Sequence, residues 1–319
     1  MRPKLLMLDT IALDAVERLR EFADVDDGRQ YPPALVSQRI GEYDGLIIKS
    51  GNRIGRDLLS RAKRLKVIGR AGSGTDNIDL DTAHEMGVTV ITSPAGNACS
   101  VAEYVVCTAL LLCHQFIDAH RGAQHNDFRR ASWQGRNLAA LTVGVVGTGH
   151  IGLAVIEKLV PLAGRVLASG SSSVHRRAVE DRGAGYVDDL AVLLGSSDIV
   201  TLHVPLTDAT RRLLDATAFA RMRPGTLLIN SARGELIDDE ALLTALRTGT
   251  VGAAALDTVH PDPPFGQPPE YCQYSHYWVH HPRVFYTPHI AAGTQDALQD
   301  VASRLVDALE RFFTDSPKC

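Results

Sequence analysis

The sequence predicts an α/β protein with two domains, each built on a doubly wound parallel sheet. Short apolar runs typical of buried strands alternate with helical patterns, and this alternation starts twice, on either side of a long helical stretch near residue 100. The length of 319 residues also exceeds what one hydrophobic core usually organises.

The first half of the chain contains one set of these alternating elements. Strands are predicted at residues 4–8, 45–48, 66–68 and 88–91, with an amphipathic helix at residues 13–22. A long helix is predicted at residues 100–116, after the break that Ser93, Pro94 and Gly96 mark. Its apolar pattern includes Cys107 and Cys113, which we expect to be buried thiols.

The second half repeats the alternation. Strands are predicted at residues 141–146, 165–168, 199–204, 226–229, 252–256 and 284–286. A helix is predicted at residues 151–159, which Pro161 ends because proline supplies no N–H donor. The amphipathic pattern of residues 296–313 predicts a C-terminal helix, but the pattern does not show which domain it packs on.

Composition argues against several classes of protein. The formal net charge is −4 and no basic block carries interleaved aromatic residues, so we expect no nucleic-acid partner. The longest apolar run, residues 101–113, is interrupted by Glu103 and Thr108, so we expect no membrane partner. The start of the chain lacks the pattern of a signal peptide, which predicts a cytoplasmic protein.

A glycine-rich turn follows the apolar strand at residues 141–146 and opens a helix. In a GxGxxG turn the first glycine permits the tight turn, the second lets backbone approach a pyrophosphate, and the third lets helix pack on strand. The alternative is a plain strand–helix turn. The residues predicted to bind a dinucleotide here are Gly147, Gly149, His150, Ile151 and Gly152.

The strand after this turn lacks the acidic residue that usually binds the ribose hydroxyls of NAD. It runs into Gly170 and Ser171 instead, and Arg176 and Arg177 follow. Serine and arginine suit a 2′-phosphate, so NADP(H) is the favoured cofactor and NAD(H) a possible one. The alternative is that both arginines face solvent from the next helix and the site is indifferent.

Three reacting groups lie at predicted strand ends in the second half. Reduction of a 2-keto acid needs a cation for the carboxylate and a proton donor for the carbonyl oxygen, which Arg233 and His289 offer. A carboxylate, Asp262, follows the strand-end Asp257 and would stabilise protonated histidine. Ligands bind beyond the carboxyl ends of parallel strands, so these groups are predicted to converge.

Five motifs in this order resemble those of the D-isomer-specific 2-hydroxyacid dehydrogenases, which include phosphoglycerate dehydrogenases and glyoxylate/hydroxypyruvate reductases. The matching stretches are residues 69–79, 100–103, 147–152, 230–234 and 287–290. The resemblance implies an oxidoreductase that transfers a hydride between NAD(P)H and a small 2-keto or D-2-hydroxy acid of the glyoxylate or hydroxypyruvate type.

The resemblance also assigns roles to residues. It implies that Arg233 binds and polarises the substrate, that His289 is the acid/base and that Asp257 contacts the nicotinamide amide. Asp262 stands where a glutamate normally pairs with the histidine, and Lys49 stands where arginine is usual. Further cofactor contacts are implied for Ser73, His203, Pro205, Ser231 and Ala232, and substrate contacts for Ser50, Gly51 and Gly74.

The resemblance implies a domain plan with a discontinuous substrate domain, residues 1–97 plus 291–319, and an inserted Rossmann cofactor domain, residues 98–290. The helix near Ser100 and the arm of residues 121–136, with Trp133, resemble a dimer contact, so we expect a homodimer.

Two alternatives stay open at this point. The chain is alternatively a non-catalytic NAD(P)-sensing binding protein on the same fold, although Arg233 and His289 argue against it. The unusually long segment of residues 271–281 carries Cys272, His276, His280 and His281, which are candidate metal ligands on one helix face. Its proline-rich surroundings make a helix there unlikely, so no metal is predicted.

Overall fold

A computed structural model describes residues 2–170, 173–264, 270 and 272–315. The chain divides into two compact units, Met1–Asn97 with Thr294–Cys319, and Ala98–Gly293. Each unit is built on one twisted sheet in which all paired strands are parallel, with helices connecting them. The predicted fold class is confirmed.

The first unit contains a five-stranded sheet in the order β2-β1-β3-β4-β5. Its strands are β1 Lys4–Met7, β2 Asp24–Asp27, β3 Gly45–Ile48, β4 Val67–Arg70 and β5 Thr89–Thr92. Its helices are α1 Leu13–Phe22, α2 Pro33–Arg39, α3 Arg56–Arg61, α4 Leu80–Glu85 and the C-terminal helix, α13 Gln295–Asp315.

Apolar clusters cover both faces of this sheet. Strands β3 and β4 are buried throughout, as expected for central strands of a parallel sheet covered on both sides. Helix α13 packs on one face, where Leu305 and Leu309 lie so close to Gly69 that a side chain there would crowd them. The C-terminal helix therefore belongs to the core of the first unit.

The second unit contains a seven-stranded sheet in the order β12-β11-β10-β9-β6-β7-β8. Its strands are β6 Thr142–Val146, β7 Arg165–Ser169, β8 Gly185–Tyr186, β9 Ile199–Leu202, β10 Thr226–Asn230, β11 Val251–Leu256 and β12 Val284–Tyr286. Its helices are α5 Ala98–Cys113, α6 Phe116–Gln124, α7 His150–Leu159, α8 Arg176–Glu180, α9 Leu190–Ser196, α10 Ala216–Arg221, α11 Asp239–Thr248 and α12 Tyr277–His280.

Local chemistry explains where several helices start. The side chains of Asp79, Asp189, Asp215 and Asp238 each accept a hydrogen bond from a backbone N–H in the first turn of α4, α9, α10 and α11. These caps orient the helices that follow the loops at the carboxyl ends of the strands. The strand-to-helix loops are therefore held at both ends.

The long helix predicted at residues 100–116 is divided into α5 and α6. Gln115 adopts a left-handed conformation with φ 51°, which ends the helical hydrogen-bond ladder. Cys113 is buried as expected, but Cys107 is exposed. That prediction was wrong because α5 is apolar around most of its circumference, so its pattern does not identify the buried face.

Over the described residues no single helix is long and apolar enough to span a membrane; only α5 and α6 together, bent by 58° at their break, reach the required length and composition.

Three other local expectations need correction. Strand β2 is acidic and was not predicted; it pairs with β1 at the sheet edge, where backbone hydrogen bonds rather than burial define it. The strand predicted at residues 199–204 ends at Leu202. The proline-rich segment does contain a helical turn, α12, because the His276 side chain accepts a hydrogen bond from Trp278 N–H and caps it.

Candidate active site

The glycine-rich turn joins β6 to α7 and two of its glycines have no room for a side chain. Gly147 has φ 106°, and an added Cβ would lie 2.5 Å from the carbonyl oxygen of His203. A Cβ on Gly152 would collide with the carbonyl of Gly147. The first glycine therefore sits against the backbone that follows β9, and the third packs helix on strand.

Gly149 differs, because an added Cβ would meet nothing within 4 Å. It caps α7 without a side-chain hydrogen bond, and no acidic residue occupies the first turn. His150 is exposed beside it, while Ile151 is half-buried against the core. The open backbone N–H groups at this helix start fit a pyrophosphate, which binds to such groups and to the positive end of the helix dipole.

The end of β7 places polar groups next to Gly170. A Cβ on Gly170 would collide with the hydroxyl of Thr148, and that hydroxyl lies 3.2 Å from Nδ1 of His175. The Tyr186 hydroxyl donates to the Gly170 carbonyl at 2.9 Å. Thr148, which His175 contacts, therefore occupies the space that a side chain at position 170 would need. Ser171 lies outside the described residues.

The two arginines after β7 have different surroundings. Both lie on α8, but Arg177 is 92% exposed, whereas Arg176 places its guanidinium 4.7 Å from the ring centroid of Tyr186. Arg176 also donates to both carboxylate oxygens of Asp188 at 2.7 Å. Since Tyr186 bonds to Gly170, Arg176 is the arginine that the structure ties to the end of β7.

Arg233 lies in a turn that follows β10 and that Asn230 organises. The buried Asn230 side chain donates to the Arg233 carbonyl at 2.8 Å and accepts from Ala232 N–H at 3.0 Å. The Arg233 guanidinium donates to the Ala232 carbonyl at 2.7 Å. Ser231 lies in the same turn, and its buried hydroxyl has no hydrogen-bond partner among the described residues.

His203 follows β9 and is followed by Pro205. Its Nε2 lies 2.8 Å from the hydroxyl of Thr201. Desolvation lowers the pKa of His203 to about 3, so the ring is uncharged near neutral pH. The contact of His203 with the glycine-rich turn is made by its backbone, beside Gly147.

Asp257 follows β11 and is bonded to the loop that carries His289. Its fully buried carboxylate accepts from the Thr287 hydroxyl at 2.6 Å and from the backbone N–H groups of Ile290 and Ala291, both at 2.8 Å. The His289 N–H donates to the Asp257 carbonyl at 2.9 Å. The described contacts of Asp257 therefore hold the histidine loop, and its predicted contact with a nicotinamide stays a prediction.

Helix α5 supports the same loop from the other side. The Tyr104 hydroxyl lies 2.7 Å from that of Thr287 and must be the donor, because Thr287 donates to Asp257. The Ser100 hydroxyl donates to the Ala291 carbonyl at 2.7 Å. His289 itself has φ 58°, a left-handed conformation that is costly for a residue other than glycine and persists only where neighbouring contacts impose it.

Asp262 lies near the other two reacting groups. Desolvation raises its pKa, although the residue lies at the surface of the second unit. The charges that also act on its carboxylate belong, in decreasing order, to His289, Glu235, Arg233 and His260. Arg233, Asp262 and His289 thus follow the neighbouring strands β10, β11 and β12 at their carboxyl ends, where the charges of Arg233 and His289 act on Asp262.

The first unit carries the remaining predicted residues at the ends of β3 and β4. Asp9 orders the loop of Ser50 and Gly51, since its carboxylate accepts from Lys49 N–H at 2.6 Å and from the Asn52 side chain at 2.9 Å. The Ser73 hydroxyl donates to the Pro94 carbonyl at 3.1 Å, and Gly74 follows it. Their substrate and cofactor contacts stay predictions.

Sequence reasoning missed the residues that hold the site rather than react in it. They are Asp9, Ser100, Tyr104, Thr148, His175, Asn230, Tyr274, His276 and Thr287. Most are ordinary polar residues whose partners lie far away in the chain, so no local pattern distinguishes them. Ser100, Thr148, Asn230 and Thr287 lay inside motifs that the sequence had identified, but the motifs gave no sign of their hydrogen-bond partners. The described part of the chain holds no group of three or more His, Cys, Asp or Glu side chains arranged for a metal ion.

Comparison with known proteins identifies relatives of this chain. A family model described as "D-isomer specific 2-hydroxyacid dehydrogenase, NAD binding domain" matches residues 106–291. The hydroxypyruvate reductase of Thermotoga maritima is 32% identical over 270 residues, which cover 85% of each chain. The D-3-phosphoglycerate dehydrogenase of Methanocaldococcus jannaschii is 31% identical over 308 residues, which cover 97% of this chain and 57% of that one.

The chain spans about half the length of the curated phosphoglycerate dehydrogenases that it matches. Among solved structures, a protein from Thermus thermophilus is 30% identical with a TM-score of 0.83, covering 98% of this chain and 97% of that chain. The pyruvate reductase of Chlamydomonas reinhardtii is 27% identical with a TM-score of 0.82, covering 99% and 98%.

Proposed function

Because the chain belongs to the D-isomer-specific 2-hydroxyacid dehydrogenase family, we propose that it transfers a hydride between NAD(P)H and a small 2-keto or D-2-hydroxy acid of the glyoxylate or hydroxypyruvate type. The observation that carries the proposal is the position of Arg233, Asp262 and His289 on loops that follow neighbouring strands at the carboxyl end of the seven-stranded sheet. The open start of α7 at Gly149 lies at the same end of the sheet, because α7 follows the carboxyl end of β6.

Each of these side chains has a chemical task in the proposed reaction. The planar guanidinium of Arg233 binds the carboxylate of the acid through two hydrogen bonds. His289 donates a proton to the carbonyl oxygen during reduction and accepts it during oxidation. The Asp262 carboxylate stabilises the protonated ring of His289. A bound nicotinamide supplies or takes up the hydride.

A panel of 2-keto acids tests this proposal. Glyoxylate, hydroxypyruvate, pyruvate and 3-phosphohydroxypyruvate are each assayed with NADPH and with NADH by the loss of nicotinamide absorbance. We expect turnover of one or more acids, and the D isomer of the corresponding hydroxy acid as the product. Cofactor binding by calorimetry without turnover of any acid would contradict the proposal and support a nucleotide-sensing protein.

For the cofactor, the proposal is a preference for NADP(H), with NAD(H) possible. Gly170 offers no carboxylate to bind the ribose hydroxyls or repel a 2′-phosphate. Arg176 supports it, because Tyr186 links its guanidinium to the Gly170 carbonyl. A 2′-phosphate would compete with Asp188 for that guanidinium. A kcat/KM for NADPH above that for NADH is the expected outcome, and the reverse order would refute the preference.

The exposed face of α6 supports a homodimer. None of the α6 residues is buried, and Phe116 and the nearby Phe128 are 54% and 71% exposed. A cavity of about 400 Å³ opens next to α6, which contributes Ile117 and Arg121 to its lining, at the end of the sheet opposite the reacting groups. Exposed aromatic side chains beside such a groove favour a second copy as the occupant.

Light scattering on purified protein tests the dimer. We expect the mass of two chains, and a larger monomer fraction for Phe128→Glu. The control is Leu13→Glu, at a residue that is 82% exposed in the first unit. A monomeric wild type at micromolar concentration would refute the dimer. The cytoplasmic location and the absence of nucleic-acid and membrane partners stay predictions.

A further inference from the structure

The segment of residues 272–281 contains none of the reacting groups, and it packs on the loop that carries Asp262. We propose that this segment is a brace, and that its Tyr274 and His276 are positioning residues that hold Asp262 within reach of His289. The inference rests on the proposed function, because it concerns the pairing of the two groups that handle the proton.

The brace is anchored in the core of the second unit. Trp278 is 1% exposed and lies in an apolar cluster with Leu242, Leu246 and Val259. Its indole N–H donates to the Asp239 carboxylate at 2.8 Å, at the start of α11. A buried aromatic ring with a satisfied N–H fixes a loop strongly, since its removal leaves a large cavity. The segment is therefore attached to the domain rather than to the loop alone.

From this anchor the brace reaches the two carbonyls that precede Asp262. The Tyr274 hydroxyl donates to the Pro261 carbonyl at 2.9 Å. Nε2 of His276 lies 3.2 Å from the His260 carbonyl, while its Nδ1 accepts from Trp278 N–H at 3.3 Å. Both His276 contacts are satisfied by one tautomer, with the hydrogen on Nε2.

The pKa of Tyr274 is raised to about 12, mainly by burial and to a smaller extent by the nearby Tyr286, Asp262 and Asp239. The phenol thus remains a donor across the pH range in which an enzyme is assayed.

The loop is also held from the side of Arg233. A Cβ on Gly234 would collide with the backbone of Val259, so the turn after β10 lies directly against the start of the loop. The Glu235 carboxylate lies 3.2 Å from Nδ1 of His260. Residues 259–261 are therefore clamped between the turn that carries Arg233 and the brace, and the next residue is Asp262.

The clamp matters because Asp262 has a short side chain. An aspartate places its carboxylate with only two rotatable bonds, so its position depends on the backbone more than that of a glutamate would. The interaction with His289 is electrostatic and mutual: the charge of the histidine favours the ionised form of Asp262, and the same attraction favours the protonated form of the histidine. The other charged or titratable groups that act with Asp262 are Glu235, Arg233, His260, Tyr274 and Tyr286.

The variant Tyr274→Phe tests the brace because it removes one hydroxyl and keeps the ring. The matched control is Tyr277→Phe, in the same segment, whose hydroxyl is directed to Asp239 rather than to the Asp262 loop. For Tyr274→Phe we expect kcat to fall about three- to tenfold with little change in KM, a fraction of the 10²–10⁴-fold that a positioned acid contributes. The control should match the wild type.

The pH profile of activity distinguishes a positioning role of Tyr274 from a merely structural one, because a structural role would leave the profile unchanged. Reduction needs protonated His289, so activity falls as pH rises through the pKa of that histidine. Weaker coupling to Asp262 lowers this pKa, and the alkaline limb should move to lower pH by about half a unit, less than the 1–3 units that a close opposite charge produces. Asp262→Asn should move it further in the same direction. An unmoved limb in Tyr274→Phe, beside a shifted limb in Asp262→Asn, would overturn the proposal.

Two further measurements complete the test. In Tyr274→Phe/Asp262→Glu the longer side chain should restore the alkaline limb, because a glutamate reaches His289 without an exact backbone position; no restoration would count against the brace. Histidine NMR titration of the wild type and Tyr274→Phe reports the pKa of His289 without turnover, so a failed brace and a failed enzymatic function are distinguishable. Equal His289 titration in the two proteins would also refute the brace.

Discussion

Lysine in place of Arg233 keeps the positive charge but loses the planar fork that binds a carboxylate through two hydrogen bonds. We expect Arg233→Lys to lose about 2–4 kcal/mol of transition-state stabilisation, as for loss of a preorganised donor. The measurement is kcat/KM with the best acid of the panel, and Arg56→Lys, at an exposed surface ion pair, is the control. A value near that of the wild type would remove Arg233 from the site.

Asparagine is the appropriate replacement for His289, since it tolerates the left-handed conformation that this residue adopts. We expect His289→Asn to abolish most turnover while binding NADPH with a nearly unchanged Kd, because the proton donor is not a pyrophosphate ligand. Fluorescence titration measures the binding. Substantial turnover in this variant would show that another group supplies the proton. The free energy of unfolding should be lower for His289→Ala than for His289→Asn by about 1 kcal/mol, because alanine does not tolerate this conformation as well.

Asp257 is expected to matter for the histidine loop. In Asp257→Asn the amide N–H₂ would face one or more of the backbone N–H groups of Ile290 and Ala291, which the carboxylate now accepts. We expect the free energy of unfolding to fall by about 2–3 kcal/mol, the range for buried hydrogen bonds to a charged group. Urea unfolding measures it, with Asp181→Asn as an exposed control. Faster hydrogen exchange at residues 290 and 291 is the local signature, and its absence would contradict this role.

At the carboxyl end of β7, the turn before α7 restricts which side chains fit at position 170. Because a Cβ at Gly170 would collide with Thr148, Gly170→Asp alone should weaken binding of both cofactors. Thr148→Ala/Gly170→Asp removes that hydroxyl, and we expect its preference to move toward NADH, since the new carboxylate accepts ribose hydroxyls and repels a 2′-phosphate. Kd values for both cofactors measure this, with Thr148→Ala as the control. A double variant that still prefers NADPH would contradict the expectation.

Element bounds show where local pattern is sufficient. Helix α1 and strands β3 and β12 have the predicted bounds, because each has a clear apolar period or run between polar residues. The acidic β2 and the short α12 were missed, since the first depends on its pairing with β1 and the second on the His276 cap and the burial of Trp278.

At the scale of the whole chain, the C-terminal helix completes a core that begins with the first residues. Leu305 on α13 is fully buried against β4, whereas Leu298 on the same helix is 40% exposed. We expect Leu305→Ala to lower the free energy of unfolding of the first unit by about 2–4 kcal/mol through the cavity that it leaves. Leu298→Ala should cost much less. Thermal unfolding followed by circular dichroism measures both, and equal costs would show that α13 does not complete this core.

The sequence by itself determined the two parallel-sheet domains, the glycine-rich turn and the reacting residues Arg233 and His289 as candidates. Apolar periodicity and the steric need for glycine are local properties, so they can be read without knowing the fold. Only the tertiary structure decided that Asp257 holds the histidine loop, that Thr148 blocks position 170 and that Tyr274 and His276 grip the loop of Asp262. Those contacts join residues that are distant in the chain or related by a turn. A hydrogen bond tolerates deviations of only a few tenths of an ångström in the distance between its atoms, and only packing sets that distance.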